Sequence, residues 1–159
     1  SIDPDDQSQL IVIEGSDTSG FEVQLTGKLT ENWSITTGYA SLDGEVEVAD
    51  GSGNDGNATR QTPDNMFSFW SNYRISDKFS IAAGATYQDS FFVREDNSVQ
   101  VPSFTRVDAA LFYKLNDAVS VQLNVENLLD EEYFPDAHSN TNITTGEPLN
   151  ARLSMTFDF

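Results

Sequence analysis

Two short segments of this chain combine aromatic side chains with a cationic or titratable group, and these residue types could bind a small molecule. The candidate ligand-binding residues are Tyr87, Phe91, Phe92, Arg94, Tyr133, Phe134 and His138. Aromatic faces and a guanidinium group suit a planar, anionic ligand. The alternative is that the aromatic residues only pack within loops or lie at a lipid–water interface. His138 is the only histidine of the sequence, so a solvated role is the simpler interpretation for it.

Metal-binding and catalytic patterns are weak. Residues 50–57 are rich in oxygen ligands, which calcium prefers. They depart from an EF-hand loop because Asp55 stands in place of the glycine and Gln61 in place of the bidentate glutamate. The acidic run 130–132 has no accompanying nucleophile, and no nucleotide-binding, hydrolase or metalloprotease motif occurs. We therefore predict no metal, no cofactor and no enzymatic activity.

The composition excludes several classes of protein. With 26 acidic and 8 basic residues the net charge is -18, which argues against a nucleic-acid partner. The absence of cysteine excludes a disulfide framework and cysteine-ligated zinc or iron–sulfur sites. No run of about 18 apolar residues exists, so no transmembrane helix is predicted. A transmembrane strand is still possible, because it needs only every second residue to be apolar.

Alternating apolar and polar residues predict an all-β chain. The last segment shows the pattern best, with Leu149, Leu153 and Phe157 on one face and Asn150 and Arg152 on the other. Similar alternation predicts about eight strands, and most of them reach the roughly 9–11 residues that cross a bilayer when tilted. The predicted strands span 9–14, 21–29, 33–46, 66–75, 79–93, 105–115, 119–125 and 148–159.

The connections between these strands alternate in length. Tight polar turns are predicted at 30–32, 76–78 and 116–118, and long segments at 43–64, 94–103 and 128–147. Aromatic residues near the short turns and near the long segments are expected to form two interfacial girdles. This organisation is typical of an antiparallel up-and-down transmembrane β-barrel with short periplasmic turns and long external loops. An aromatic-rich soluble β-protein is the alternative.

Four motifs resemble the C-terminal part of TonB-dependent outer-membrane receptors. Residues 124–133, N-V-E-N-L-L-D-E-E-Y, resemble the family segment N-x-x-N-L-[FL]-D-x-x-Y. Residues 101–108, V-P-S-F-T-R-V-D, resemble the strand start V-P-x-[YF]-x-x-[VF]-D, and Gly20-Phe21-Glu22 resembles G-[FV]-E. Residues 146–152 resemble G-x-P-R-x before the final strand, although Leu149 stands where the family has arginine. No role is therefore carried over to Arg152.

The resemblance implies that residues 1–159 are the C-terminal portion of a siderophore-type receptor barrel, about eight strands of a larger barrel with about 22 strands and a plugged lumen. It implies a bacterial outer-membrane location with lipid around the barrel. It also implies uptake of a ferric siderophore or similar chelate contacted by the external loops, near the seven candidate residues named above. Energy would come from the TonB complex through a plug domain, which these residues do not resemble.

Two other interpretations stay open at this point. Eight strands suffice to close a small barrel, so a self-contained outer-membrane barrel with a structural or adhesive role is one alternative. Bulky residues on the lumen-facing side, such as Trp70 and Phe112, weigh against it. The other alternative is a soluble, acidic β-barrel or sandwich that binds a small molecule. It predicts a protein that stays folded in water without detergent.

Overall fold

Most of the chain forms a single antiparallel sheet. The computed structural model describes residues 14–48 and 53–158. The sheet has seven strands in the order β1-β2-β3-β4-β7-β8-β11, and we call this sheet the strand wall. Its strands are β1 (Glu14–Lys28), β2 (Trp33–Val48), β3 (Asn65–Arg74), β4 (Phe79–Gln88), β7 (Phe104–Asn116), β8 (Val119–Glu126) and β11 (Asn150–Phe157).

Two short hairpins lie outside the wall, in the long connections. One pairs β5 (Phe91–Phe92) with β6 (Gln100–Val101). The other pairs β9 (Asp136–Ser139) with β10 (Asn142–Thr144), with a register shift between Asn142 and Ile143. Among the described residues, no helix is long and apolar enough to cross a membrane.

The predicted alternation of faces is confirmed along the wall. One face carries large apolar side chains that are exposed, among them Phe21, Val23 and Leu25 at 57% and Leu153 at 69%. The other face is mostly polar or small but also carries Trp70 and Phe112, and Ala82 and Ala110 lie buried on it as direct cross-strand partners. A sheet with an exposed apolar face and a polar opposite face is the arrangement expected of a barrel wall between lipid and a lumen.

Short turns and long connections lie at opposite ends of the wall. At one end the turns are tight: the amide of Leu29 donates to the carbonyl of Trp33 at 2.8 Å, and that of Ile75 to the carbonyl of Phe79 at 2.9 Å. The described connections at the other end are residues 53–64, 89–103 and 127–149. The predicted asymmetry between the two ends of the strands is confirmed.

Two strand boundaries differ from the sequence interpretation. The predicted strand 79–93 ends at Gln88, because its neighbour β3 begins at Asn65 and offers no ladder partner beyond that level. β1 starts at Glu14 and runs through the polar stretch 15–20 without a break, since residues 42–48 of β2 continue the ladder beyond the apolar band. The predicted strand 9–14 lies, except for Glu14, outside the described residues.

Candidate functional site

The three long connections meet at one end of the wall and pack together. We call residues 53–64, 89–103 and 127–149 the loop module. Gln61 joins all three, because its amide donates to the carbonyl of Phe92 at 2.8 Å and its side-chain Nε2 donates to the carbonyl of Ala137 at 2.5 Å. Asn140 Nδ2 adds a bond to Ser98 Oγ at 3.0 Å. The module is therefore one packed unit built from segments far apart in sequence.

An apolar core lies inside the loop module. Phe91, Val93, Val101 and Ala137 are almost completely buried, with Val101 and Ala137 at 0% exposure. Val99, Phe134 and Ile143 pack against this cluster while keeping part of their surface exposed. The two short hairpins supply these residues, so each hairpin buries the other's apolar side. The hydrophobic effect in water stabilises such a core, which is distinct from the lipid-facing surface of the wall.

Asparagine side chains attach the first loop of the module (53–64) to the second (89–103). Asn97 Nδ2 donates to the carbonyl of Ala58 at 2.9 Å, while its Oδ1 accepts from the amide of Ala58 at the same distance. Asn57 Nδ2 donates to the carbonyl of Glu95 at 2.7 Å. Asn97 has a φ of 50°, a left-handed conformation that asparagine tolerates better than most residues.

The motif that begins at Asn127 fastens the third loop to the wall. Asn127 is 0% exposed, and its side-chain Nδ2 donates to the carbonyls of Glu131 at 2.8 Å and Glu147 at 3.1 Å. Its Oδ1 accepts from the amide of Glu131 at 3.0 Å. Its own amide donates to Asp108 Oδ1 at 2.9 Å. One asparagine thus satisfies backbone groups from both ends of a long loop.

Backbone geometry explains why this motif has asparagine and aspartate at its ends. Asn127 and Asp130 have φ values of 52° and 51°, which disfavour most side chains. Asp130 Oδ1 accepts from the amide of Leu149 at 3.0 Å, which ties the start of the loop to its end. The structural interpretation of the acidic run 130–132 therefore agrees with the geometry of Asp130.

Tyr133 forms the second attachment of the third loop. It is 6% exposed, and its hydroxyl accepts from Arg106 Nη1 at 3.1 Å. Arg106 also forms a salt bridge with Asp108 at 3.0 Å. The Tyr133 ring lies 4.7 Å from the ring of Phe104, and its carbonyl accepts from the amide of Gly146 at 2.7 Å. A Cβ added to Gly146 would come within 2.2 Å of the Tyr133 ring, so only glycine fits there.

The seven predicted ligand-binding residues occupy different environments. Arg94 and His138 are exposed, and Phe92 and Phe134 are half-buried in the loop module. Phe91, at 3% exposure, lies in the module's core, and Tyr133 forms the attachment described above. Ligand contact by these residues stays a prediction.

Tyr87 lies apart from the other six, on the apolar outer face of β4. Its hydroxyl donates to Asp89 Oδ1, and Asn65 Nδ2 donates to Asp89 Oδ2 at 2.7 Å. Asn65 Oδ1 in turn accepts from the hydroxyl of Tyr39 at 2.6 Å. The bond from Tyr87, and after it those from Asn65, hold the pKa of Asp89 below its usual value. The chain of bonds joins β2, β3 and the end of β4 where the outer aromatic girdle was predicted.

Sequence reasoning missed the residues that hold the loops together. Nothing in the linear sequence marks Gln61, because its partner Ala137 is 76 residues away. The asparagines at 57, 97 and 140 offered only a general preference for turns. The signal for Asn127, Asp130 and Tyr133 was present in the motif, but the motif alone did not reveal that these side chains bind the backbone.

The described residues contain no group of three or more His, Cys, Asp or Glu side chains arranged to hold a metal ion.

Comparison with known proteins identifies the family of the chain. Residues 1–128 match the family model described as TonB dependent receptor-like, beta-barrel.

Curated relatives have the same character. The chain is 32% identical over 154 residues to the probable TonB-dependent siderophore receptor PiuA of Acinetobacter baumannii, covering 91% of this chain and 21% of the relative. It is 32% identical over 146 residues to the catecholate siderophore receptor Fiu of Escherichia coli K12, covering 88% and 19%. The chain therefore spans about a fifth of the length of these relatives.

A solved structure shares the fold closely. The crystal structure of PiuA from Acinetobacter baumannii matches with a TM-score of 0.83 and 33% identity, over 89% of this chain and 22% of that chain. The antiparallel wall, its exposed apolar face and the long connections at one end thus belong to a known architecture. This chain belongs to the TonB-dependent receptor family and forms part of its outer-membrane β-barrel.

Proposed function

We propose that the receptor containing this chain takes up a ferric siderophore or a similar chelate across the bacterial outer membrane. The observation that carries the proposal is the loop module, which places a packed surface at the outer end of a barrel wall. Relatives named as siderophore receptors support it. The chain's part is to bind and admit the ligand, and we propose no catalytic step. TonB coupling would act through a plug domain that residues 1–159 do not encode.

The external surface of the loop module is proposed to make the first contact with the ligand. Arg94 and His138 are exposed there, and the half-buried rings of Phe92 and Phe134 lie in the same module. Aromatic faces and a cation suit a chelate with aromatic or acidic groups. Phe91 and Tyr133 would act indirectly, because their burial lets them position the surface without touching a ligand.

Iron uptake by intact cells tests the proposal. In a strain whose other ferric-siderophore receptors have been deleted, the intact receptor is expected to restore energy-dependent uptake of radioactive iron from at least one ferric chelate. Deleting TonB is expected to abolish that uptake. Unchanged uptake with and without the receptor, across hydroxamate, catecholate and carboxylate chelates, would contradict the proposal.

Paired substitutions test the proposed contact surface. Arg94→Ala combined with His138→Ala is expected to raise the half-saturating chelate concentration severalfold while the amount of folded receptor stays constant. Arg60→Ala is the matched control, since Arg60 is also an exposed arginine of the loop module but is paired with Glu95 at 3.5 Å. Equal effects of the two changes would show that general charge, and not local contact, is responsible.

A further inference from the structure

A hollow of about 310 Å³ lies on the polar, lumen-facing side of the wall near its outer end. Its lining comes from three neighbouring cross-strand rows. One row is Glu22, Ala40, Met66 and Gln88, a second includes Gly38, Ser68 and Thr86, and the row between them is Tyr39, Phe67 and Tyr87. Because β3 begins at Asn65 and β4 ends at Gln88, the hollow lies at the end of these strands that leads into the loop module.

Small residues create the hollow. Its floor is formed by Gly38, Ala40 and Ser68, which leave the backbone close to the surface. A Cβ added to Gly38 would come within 3.1 Å of Ser68 Oγ, so the floor has little room for a larger residue there. Met66 supplies an adaptable apolar side and Glu22 a carboxylate. The shape and chemistry suit an alkyl chain that ends in a positive charge.

Glu22 lies on β1, the edge strand of the described sheet, and no described cation pairs with it. Within the described part of the chain, Glu22 takes part in none of the salt bridges. Arg106 is the cross-strand neighbour of Thr86, but its guanidinium is committed to Asp108 at 3.0 Å and to the Tyr133 hydroxyl. An unpaired carboxylate beside an apolar floor favours a cationic ligand group over an anionic one.

The outer end of the wall and the loop module, which lie near the hollow, are negatively charged, as Glu22 is. Acidic residues far outnumber basic ones at the outer end of the described chain, where Arg60 and Arg94 are the arginines of the loop module and no lysine lies in it. The acidic residues there include Asp43, Glu45, Glu47, Asp64, Asp89, Glu95, Asp96, Asp130, Glu131, Glu132, Asp136 and Glu147. A dense field of one sign steers ligands of the opposite sign and repels those of the same sign.

We propose that this hollow is a subsite for the ammonium-bearing arm of a cationic ferric chelate. The inference rests on the proposed uptake function and deepens it by naming the charge class of the ligand. The methylene chain lies over the floor beside Met66, and the ammonium group bonds Glu22. A polyanionic ferric tricatecholate is disfavoured at this position, and the contacts proposed for Arg94 and His138 are made by a different part of the same chelate.

Binding of three defined chelates to the purified intact receptor tests the subsite. The probes are a ferric linear trihydroxamate with a free terminal ammonium, its N-acetylated form, and a ferric tricatecholate. The ammonium form is expected to bind about tenfold more tightly than the acetylated form, as a charge-assisted hydrogen bond implies. Glu22→Gln is expected to remove that difference and leave the affinity for the acetylated form unchanged.

Two further variants locate the effect. Glu47→Gln is the matched control, because Glu47 is an exposed acid on the opposite face of β2 and should leave the tenfold difference intact. Ala40→Phe fills the hollow and is expected to weaken both trihydroxamates while the receptor stays folded. If Glu47→Gln lowers the difference as much as Glu22→Gln does, the field of the whole outer end acts and the subsite is overturned.

The remaining outcomes separate the subsite from the uptake function. Equal binding of the ammonium and acetylated forms would overturn the subsite while leaving siderophore uptake in place. If Glu22→Gln alters the thermal stability of the receptor but not the ratio of affinities, the hollow contacts another part of the receptor and the subsite is again overturned. Failure of every ferric chelate to bind or enter would instead overturn the proposed function.

Discussion

The strand wall leaves its large apolar side chains exposed, whereas the loop module buries its smaller ones. Leu153 on β11 is 69% exposed, while Val101 in the module is 0% exposed. The wall is held by ladder hydrogen bonds between strands and needs lipid to cover its outer face. The module has a small core of the kind that water drives together. The wall is therefore stable with lipid around it, and the module is stable in water.

The wall and the module also use glycine and asparagine differently. Gly27 on β1 has open space where a Cβ would project, but Gly146 in the module lies against the Tyr133 ring. Asn124 on β8 accepts one bond from Gln122, but Asn127 makes four bonds that close a loop. The module's irregular backbone depends on individual side chains, and the wall's regular backbone does not.

The largest expected effect comes from placing a charge in the core of the module. Val101→Asp should destabilise the loop module by on the order of 4 kcal/mol, because an unpaired carboxylate would be buried. The barrel should remain folded, since the wall does not depend on this core. Limited proteolysis should then cut within 89–103 or 127–149, while the folded band on an unheated gel persists.

The neighbouring position provides the control for this change. Gln100→Asp introduces the same charge in the same strand β6, at an exposed residue. It should leave the protease resistance of the module unchanged. Loss of the folded band in Val101→Asp would show that the two regions fold as one, contrary to the comparison.

The next effect concerns the asparagine that closes the third loop. Asn127→Ala should cost about 2–3 kcal/mol in local stability, because several buried backbone groups lose their partner and alanine tolerates the left-handed backbone poorly. Asn124→Ala on the wall should cost less than about 1 kcal/mol. Hydrogen exchange of residues 127–149, followed by mass spectrometry in detergent, measures the difference. Similar exchange in both variants would refute the special role of Asn127.

A smaller effect is expected from adding one methyl group to a glycine. Gly146→Ala should cost about 2 kcal/mol, since the new Cβ must displace the ring of Tyr133. Gly27→Ala on the wall should change stability by less than about 0.5 kcal/mol, because nothing lies within 4 Å of its Cβ. Thermal unfolding of the loop module, monitored by tyrosine fluorescence, distinguishes the two. Equal unfolding temperatures for Gly146→Ala and Gly27→Ala would contradict this difference between the module and the wall.

The smallest expected effect depends on pH. Backbone and side-chain hydrogen bonds from Ser98 lower the pKa of Asp96, so the ionised carboxylate favours the folded hairpin. This contribution is complete above the ordinary aspartate pKa of about 3.9 and declines as the pH falls through the lower folded value. Ser98→Ala should therefore slightly lower the module's unfolding temperature at pH 7. The difference should shrink as the pH falls below the ordinary aspartate pKa of about 3.9, and a constant difference on acidification would exclude Asp96 as its source.

Much of the wall could be predicted from sequence because its signal is local. Alternation over β2, β7, β8 and β11 identifies both faces without knowledge of any partner strand. The break after Gln88 could not be predicted this way, because apolar residues continue through Phe91 and Phe92. The ladder ends there because β3 provides no further partner, which is a fact about another segment.

The loop module was hidden from sequence reasoning for the same physical reason. Its core combines Phe91, Val101 and Ala137, and no window of the sequence contains all three. Phe91 and Tyr133 were predicted as ligand contacts from residue type, which does not reveal that both side chains are buried. Their burial depends on packing between distant segments, and ligand contact stays a prediction.

The dependence of all three loops on Gln61 has a consequence for exchanging specificity between receptors. A graft that replaces residues 127–149 alone would leave the side-chain Nε2 of Gln61 without the carbonyl of Ala137 and would open the shared core to water. A successful chimera therefore has to transplant the three loops together. Insertions are best accommodated where neither hairpin nor asparagine bond is interrupted.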